Sequence, residues 1–116
     1  MIAHLVLFRP RPDLAGDDTK ALIDAFVRAV SLIPSVRSTR VGRRARIGAG
    51  YEQLPQPDLT YLAIVEFDDE AGLRAYLEHP AHVEIGRRFW EASAQQQVYD
   101  FELAGGVDAD LLSQDF

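Results

Sequence analysis

The residues best suited to chemistry lie around a break in the segment "YLEHPAHVEIGRRF", residues 76–89. Pro80 interrupts a pattern that is otherwise typical of one helix, and two of the chain's three histidines, His79 and His82, flank it. Proline is favoured at the first position of a helix, because its missing N–H would have no partner there. We therefore expect a new helix to begin at Pro80, with His79 as its cap and His82 in its first turn.

The position of His82 favours general-base chemistry. The positive end of a helix dipole disfavours an imidazolium ion, and a neutral imidazole is a competent general base near pH 7. His4 on the first predicted strand and Tyr61 on the third point to the same side of the expected sheet, where Tyr76 and His82 also lie. Four polar tips in one apolar interior predict a cavity. The alternative is that His82 is a packed, hydrogen-bonded core residue.

A metal site is a second alternative for these histidines. His79 and His82 have the i, i+3 spacing of one helix face, and His4 could join them. However, a capping His79 faces outward, and the ligand count stays short of a closed site. A glycine-rich phosphate loop and a catalytic serine motif are both missing from the sequence. The sequence therefore predicts neither a metal nor a cofactor.

The pattern of elements that positions these residues is β-α-β-β-α-β, with the second helix broken. Strands are predicted over 1–9, 36–46, 59–67 and 97–104, and helices from Asp17 or Asp18 to about Ile33, from a cap at Asp68, and from Pro80 to about Ala94. This order predicts an α+β, ferredoxin-like fold, with an antiparallel four-stranded sheet and helices on one face. Residues 1–104 form the predicted domain. Residues 47–58 are expected to form a lid or a mobile loop.

The other face of the predicted sheet is apolar and needs a cover. It carries Ala3, Leu5, Leu7, Leu62 and Ile64. The same face of a second copy would cover it, giving a barrel-like homodimer. Residues 105–116 form an acidic tail that is expected to be loose or to dock on a partner.

The amino-acid composition argues against several classes of protein. The chain has 116 residues, 47% of them apolar, and no cysteine, which excludes disulfides and thiolate metal sites. Its apolar runs are far shorter than a membrane span, and its start does not resemble a signal peptide, so we expect a cytoplasmic protein. A net charge of −6 argues against nucleic-acid binding. The five arginines within residues 37–46 form either a solvated edge or a guide for an anionic ligand.

The segments "MIAHLVLFRPRPD", "LIPSV", "LTYLAIVEFDDEAGLRAYLEHPAHVEIGRRF" and "VYDFEL" together resemble the stress-responsive α/β-barrel (Dabb) domain. The similarity extends from residue 1 to about residue 103, and the "YLEHPAH" block is its most specific part. It implies a ferredoxin-like homodimer packed sheet to sheet, with a pocket between sheet and helices.

The family includes a plant polyketide cyclase that works by an aldol-type condensation without a cofactor. By position, the resemblance implies that His82 is the general base and that Tyr76 polarises the reacting oxygen. His4, Tyr61 and Phe89 would line the pocket and contact a small aromatic or polyketide-like substrate. A cyclase, lyase or monooxygenase-like enzyme is one hypothesis. A non-catalytic dimer, either ligand-binding or structural in a stress response, is the other.

Overall fold

The computed structural model describes residues 1–114. Asp115 and Phe116, the last two residues of the predicted tail, lie outside the described residues. The strands are β1 (Ile2–Pro10), β2 (Ser38–Arg43), β3 (Tyr61–Phe67) and β4 (Ser93–Glu102), and the helices are α1 (Gly16–Leu32), α2 (Glu70–Glu78), α3 (Pro80–Ala92) and α4 (Ala109–Ser113). A single 3₁₀ turn, Gly50–Gln53, lies between β2 and β3.

The four strands form one antiparallel sheet in the order β2-β3-β1-β4. This confirms the predicted α+β, ferredoxin-like fold, and the sheet is open rather than closed into a barrel. His4 lies at the centre of the sheet, directly between Val65 of β3 and Asp100 of β4. Because directly opposed residues point to the same side, these three side chains share the face that the helices cover.

The hydrophobic core lies between this face and the helices. Val65 and Phe67 of β3 are the largest fully buried side chains, with 1% and 0% of their surface exposed. Ala29 and Ile33 from the end of α1 pack with Leu73 of α2 in the same cluster. Leu22, Phe26 and Val30 pack against the same cluster, so apolar residues at helical spacing form the buried face of α1.

The opposite face of the sheet, which we call the open face, has no covering layer among residues 1–114. The molecule measures 46 × 40 × 20 Å. A thickness of 20 Å is that of one sheet with one layer of helices, since packed layers lie about 10 Å apart. Tyr99 and Phe101 of β4 are 48% and 51% exposed, and they share this face with Leu5, because Leu5 is paired directly with Tyr99.

Several predicted boundaries were wrong. The first helix begins at Gly16, and its N-cap Ala15 makes no side-chain cap, so Asp17 and Asp18 lie in its first turn instead. There the two carboxylates interact favourably with the helix dipole. The cap of α2 is Asp69 rather than Asp68, because the Asp69 carboxylate accepts from the Gly72 N–H at 2.9 Å.

The last strand also begins earlier than predicted, at residue 93 instead of residue 97. The segment Ser93–Gln96 contains no proline or glycine that would end a helix, and it lacks the apolar alternation of a strand. Its sequence therefore does not distinguish it from the end of α3. Its strand conformation comes from pairing with β1, where Gln96 lies opposite Phe8. Tertiary pairing thus determines this boundary.

Three of the five clustered arginines form local ion pairs. Arg37 donates to Asp68 at 2.8 Å, and Arg44 and Arg46 both donate to Asp58, at 3.2 and 2.7 Å. The last two pairs close the loop of residues 44–60, which joins β2 to β3. Exposed ion pairs of this kind stabilise only weakly, so their main effect is to fix the shape of the loop.

The residues around Pro80 take the predicted conformation. His79 ends α2 and caps α3, and its Nδ1 accepts from the Ala81 N–H at 3.0 Å. His79 has φ −69° and ψ 139°, the extended conformation that a following proline imposes. The break therefore starts a new helix, as the sequence indicates, and places His82 in its first turn.

Removing this cap should cost modest stability. We expect His79→Ala to lower the free energy of unfolding by roughly 0.5–2 kcal/mol, the range for loss of an N-cap side chain. Urea unfolding at pH 7.5 would measure the change. Glu78→Ala, an exposed neighbour on the preceding helix turn, is the matched control and should alter stability by less. Equal effects in the two variants would contradict a capping role for His79.

No helix within residues 1–114 is long and apolar enough to cross a membrane.

Candidate functional site

His4, Tyr76 and His82 form one cluster under the helices. The ring centroids of Tyr76 and His82 are 4.6 Å apart, and the His4 ring lies 6.0 Å from Tyr76 and 6.3 Å from His82. Each residue comes from a different element, namely β1, α2 and α3. The break at His79 brings the last two together, because it turns the first residues of α3 back against the end of α2.

The tautomer of His82 is fixed by the backbone. Its Nδ1 lies 3.2 Å from the carbonyl oxygen of Leu77. Since a carbonyl oxygen can only accept, Nδ1 must carry the proton in this contact. In the neutral ring, Nε2 then has a free lone pair, which is the state that a general base requires.

The pKa of His82 lies below its ordinary value of 6.5. Burial is the main cause, because it penalises the charged ring, and the nearby His4 adds to it. The hydrogen bond to Leu77 acts in the opposite direction. The predicted direction is confirmed, but burial and His4 produce it, whereas the sequence argument relied on the helix dipole.

Tyr76 is kept protonated by its surroundings. The residue is 3% exposed, and burial raises the pKa of its phenol to about 12. Among the side-chain hydrogen bonds within residues 1–114, none involves the Tyr76 hydroxyl. A neutral phenol with its O–H uncommitted can donate to an oxygen that gains negative charge.

Asp100 is a member of the cluster that sequence reasoning missed. Its carboxylate Oδ1 lies 2.7 Å from Nδ1 of His4, which is 5% exposed. The contact places a proton on Nδ1 of His4 and fixes the orientation of the ring. The alternation of "VYDFEL" indicates which strand residues share a face with Asp100, but only the observed register of β4 with β1 places Asp100 opposite His4.

The contact between His4 and Asp100 should contribute measurably to the free energy of unfolding. We expect Asp100→Ala to lower the free energy of unfolding by roughly 1–3 kcal/mol, because it leaves a buried imidazole N–H without an acceptor. Glu102→Ala, two residues along the same face of β4, is the matched control and should have little effect. Urea denaturation of both variants would test this. An Asp100→Ala protein as stable as the Glu102→Ala protein would show that His4 does not depend on the carboxylate.

The other two predicted site residues lie at a second position. Phe8 packs between Tyr61 and Phe89, with ring centroids 5.7 and 5.1 Å from its own. Phe8 is four residues along β1 from His4, which corresponds to about 13 Å. Tyr61 and Phe89 therefore share the helix-covered face with the His4 cluster but do not contact it directly.

A groove of about 440 Å³ lies elsewhere, at one end of the open face. The loop of residues 44–60 forms one wall, and Leu7, Leu62 and Gln97 of the sheet form the floor. Tyr61 touches this groove, whereas His4, Tyr76, His82 and Phe89 do not line it. We call it the loop groove. Sequence analysis did not predict it, because loop conformation cannot be read from residue types.

The described residues hold no group of three or more His, Cys, Asp or Glu side chains arranged to bind a metal ion. His79 points its Nδ1 at the Ala81 N–H, and Nδ1 of His4 is occupied by Asp100.

The comparisons with known proteins agree with this fold. Residues 2–103 match the model of the Stress responsive A/B Barrel Domain family, called Dabb. Because the match spans nearly all of the chain, the protein belongs to the Dabb family. Olivetolic acid cyclase from Cannabis sativa is 23% identical over 93 residues, which are 78% of this chain and 87% of that enzyme.

Solved structures share the same fold. A dimeric ferredoxin-like protein of unknown function from Thermobifida fusca has a TM-score of 0.68 at 24% identity and covers 88% of this chain and 90% of its own. Hydroxynitrile lyase from Passiflora edulis has a TM-score of 0.75 at 14% identity, covering 92% and 96%. SnoaB, a cofactor-independent oxygenase from Streptomyces nogalater, has a TM-score of 0.66 at 13% identity, covering 91% and 95%. The fold thus occurs in a cyclase, a lyase and an oxygenase.

Proposed function

We propose that this chain is a homodimeric, cofactor-independent enzyme that removes a proton next to a carbonyl group of a small aromatic or polyketide-like substrate. The observation that carries the proposal is the Tyr76–His82 pair, with ring centroids 4.6 Å apart and Nδ1 of His82 held by the Leu77 carbonyl. His82 has a free basic nitrogen, and Tyr76 has a protonated hydroxyl that can donate a hydrogen bond.

The reaction begins with proton transfer from the substrate's α-carbon to Nε2 of His82. The C–H electron pair moves into the carbonyl group and gives an enolate, and the Tyr76 hydroxyl donates to the enolate oxygen. Since burial raises the pKa of Tyr76 to about 12, the phenol remains protonated while it does so. General-base assistance of this kind typically contributes about 10²–10⁴-fold to the rate.

In an aldol-type ring closure, the enolate carbon then attacks a second carbonyl carbon of the same molecule. A C–C bond forms, and the second carbonyl oxygen becomes an alkoxide, which takes the proton back from His82. His82 is thus base in the first step and acid in the second. The sequence likeness to olivetolic acid cyclase supports this class of reaction, and the lyase and oxygenase on the same fold are its alternatives.

Asp100 and His4 lie on the sheet and act on the Tyr76–His82 pair, which lies on the helices. The carboxylate holds the His4 ring, and His4 in turn lowers the pKa of His82. The rings of Phe8, Tyr61 and Phe89, about 13 Å further along the helix-covered face, provide an apolar surface for an aromatic or alkyl part of the substrate. His4, Tyr61 and Phe89 are proposed as substrate contacts on this basis.

Exchange of α-protons in D₂O tests the proposal without the natural substrate. A small aromatic β-keto ester would be incubated with the protein at pH 7.5, and the loss of its α-proton signal would be followed by NMR. We expect exchange above the buffer rate that disappears in His82→Gln. Exchange equal in both proteins and in buffer would refute the general-base function.

A second function, a ligand-binding dimer without catalysis, is favoured by a different observation. A groove of about 440 Å³, the loop groove, lies on the face opposite the histidine cluster. Ligand-induced NMR shifts confined to the lining of the loop groove, with the signals of His4 and His82 unchanged, would support this second function.

A further inference from the structure

The C-terminal segment of residues 103–113 projects from the sheet with its apolar side chains uncovered. The Leu103 N–H donates to the Met1 carbonyl oxygen at 2.9 Å, which fixes the start of the segment at the edge of the sheet. Beyond two glycines, Val107 is 94% exposed and Leu112 is 50% exposed. The Asp108 carboxylate caps the turn that follows, accepting from the Leu111 N–H at 3.0 Å. The segment therefore has a preformed turn without a surface to pack against.

The loop groove has an apolar floor and basic residues in its wall. Leu7 and Leu62 form its floor, and Arg43 and Arg44 lie in its wall. The acidic residue in its lining is already engaged, because the Glu52 carboxylate accepts from the N–H groups of Ile47 and Ala49.

The wall and the segment carry opposite charge. Near the groove, Asp58 binds both Arg44 and Arg46, while Arg43 forms no ion pair within the described residues. The wall is therefore net positive. The C-terminal segment carries Asp108 and Asp110 and no basic residue.

The segment cannot seat Val107 in the groove of its own chain. Val107 lies four residues after Leu103, a reach of about 14 Å at full extension. Leu7 lies six strand residues beyond Met1, about 20 Å away. Consider a dimer in which two open faces pack together about a two-fold axis perpendicular to the strands. This axis reverses the strand direction between the copies, so the Met1 end of one sheet lies over the Leu7 end of the other.

We propose that the C-terminal segment of each copy docks into the loop groove of a second copy. Val107 and Leu112 would cover the apolar floor, and Asp108 and Asp110 would face Arg43. This inference rests on the homodimer of the proposed function, and it is independent of any catalytic activity. It assigns a role to the two features that the catalytic proposal leaves unused, the structured loop and the acidic tail.

Single introduced thiols test the proposal, since the chain has no cysteine. Full-length Val107→Cys protein would be mixed with affinity-tagged Gln56→Cys protein, in which the new thiol lies in the groove lining. We expect the mixed disulfide to form at least ten-fold faster than with tagged Ser31→Cys, an exposed α1 position on the helix side. Asp108→Arg/Asp110→Arg should slow this cross-linking, and Arg43→Asp in the partner should restore it.

Two outcomes would overturn the proposal in distinguishable ways. Cross-linking no faster than the Ser31→Cys control, in a protein that elutes as a dimer, would refute docking and leave the homodimer intact. A protein that elutes as a monomer would refute both. A Val107→Cys/Gln56→Cys double variant that forms its disulfide within one chain at high dilution would show that the segment uses its own groove, which also refutes docking on a second copy.

Discussion

Replacing His82 by glutamine should reduce α-proton exchange and any associated turnover by roughly 10²–10⁴-fold, the contribution of a general base. Glutamine can still donate to the Leu77 carbonyl, and it fills much of the imidazole volume. The variant should therefore fold normally, with a melting temperature close to that of the parent protein. Tyr76→Phe should also lose activity, because it removes the O–H that stabilises the enolate while keeping the packed ring.

His79→Ala is the matched control for the activity of His82→Gln. It removes the neighbouring histidine, whose role is to cap α3, and should preserve exchange activity at a modest cost in stability. If His82→Gln lowers the melting temperature strongly and leaves exchange unchanged, His82 is a core residue and the catalytic proposal fails.

Introducing a charge on the open face should separate the two copies. We expect Leu5→Glu and Ile64→Glu, which alter directly paired residues of β1 and β3, to convert the proposed dimer to monomer at micromolar concentration. Sheet-to-sheet packing would bury the new carboxylate without a partner, which costs several kcal/mol or more. Size-exclusion chromatography with light scattering would measure the molecular mass.

Val41→Glu is the control for the dimer variants. Val41 is 75% exposed, and its partner Ala63 is buried on the helix side, so the new charge should lie away from the proposed interface. The control should retain the mass of the parent protein. Dimers of unchanged mass in both open-face variants would contradict sheet-to-sheet assembly.

Much of the fold could be predicted from the sequence because strong local signals coincide with the element boundaries. Pro34 follows the first helix, Pro80 starts α3, and the nearly continuous apolar run of β3 is typical of a buried strand. The order of elements then restricts the sheet to a few topologies, and the observed order β2-β3-β1-β4 is the ferredoxin-like one.

The candidate site was predicted in part. The types and positions of His4, Tyr76 and His82 placed them on one side of the sheet, and the structure brings these three rings together. Asp100 was missed because its contact depends on the register between β1 and β4, which the sequence pattern leaves open.

Tyr61 and Phe89 were expected in the same pocket, but they pack on Phe8 instead. Residue alternation specifies a face of the sheet and not a position along it. The loop groove was also beyond sequence reasoning, because its shape depends on the ion pairs of Arg44 and Arg46 with Asp58.

The depressed pKa of His82 also predicts how stability depends on pH. Unfolding returns the ring to its ordinary pKa of about 6.5, so below that pH the unfolded chain binds more protons than the folded one. The contribution of His82 to folding is therefore fully present above about pH 6.5 and decreases as the pH falls toward its folded-state pKa. In His82→Gln, this part of the acid sensitivity should disappear from urea-unfolding curves.

The most direct test of the central claim is an NMR titration of the three histidines in the parent protein, with His82→Gln used to assign the His82 signal. We predict that His82 titrates below 6.5 and that its signal shifts when a small aromatic β-keto ester is added. A pKa at or above 6.5, together with no response to the ester, would contradict a neutral base facing a substrate.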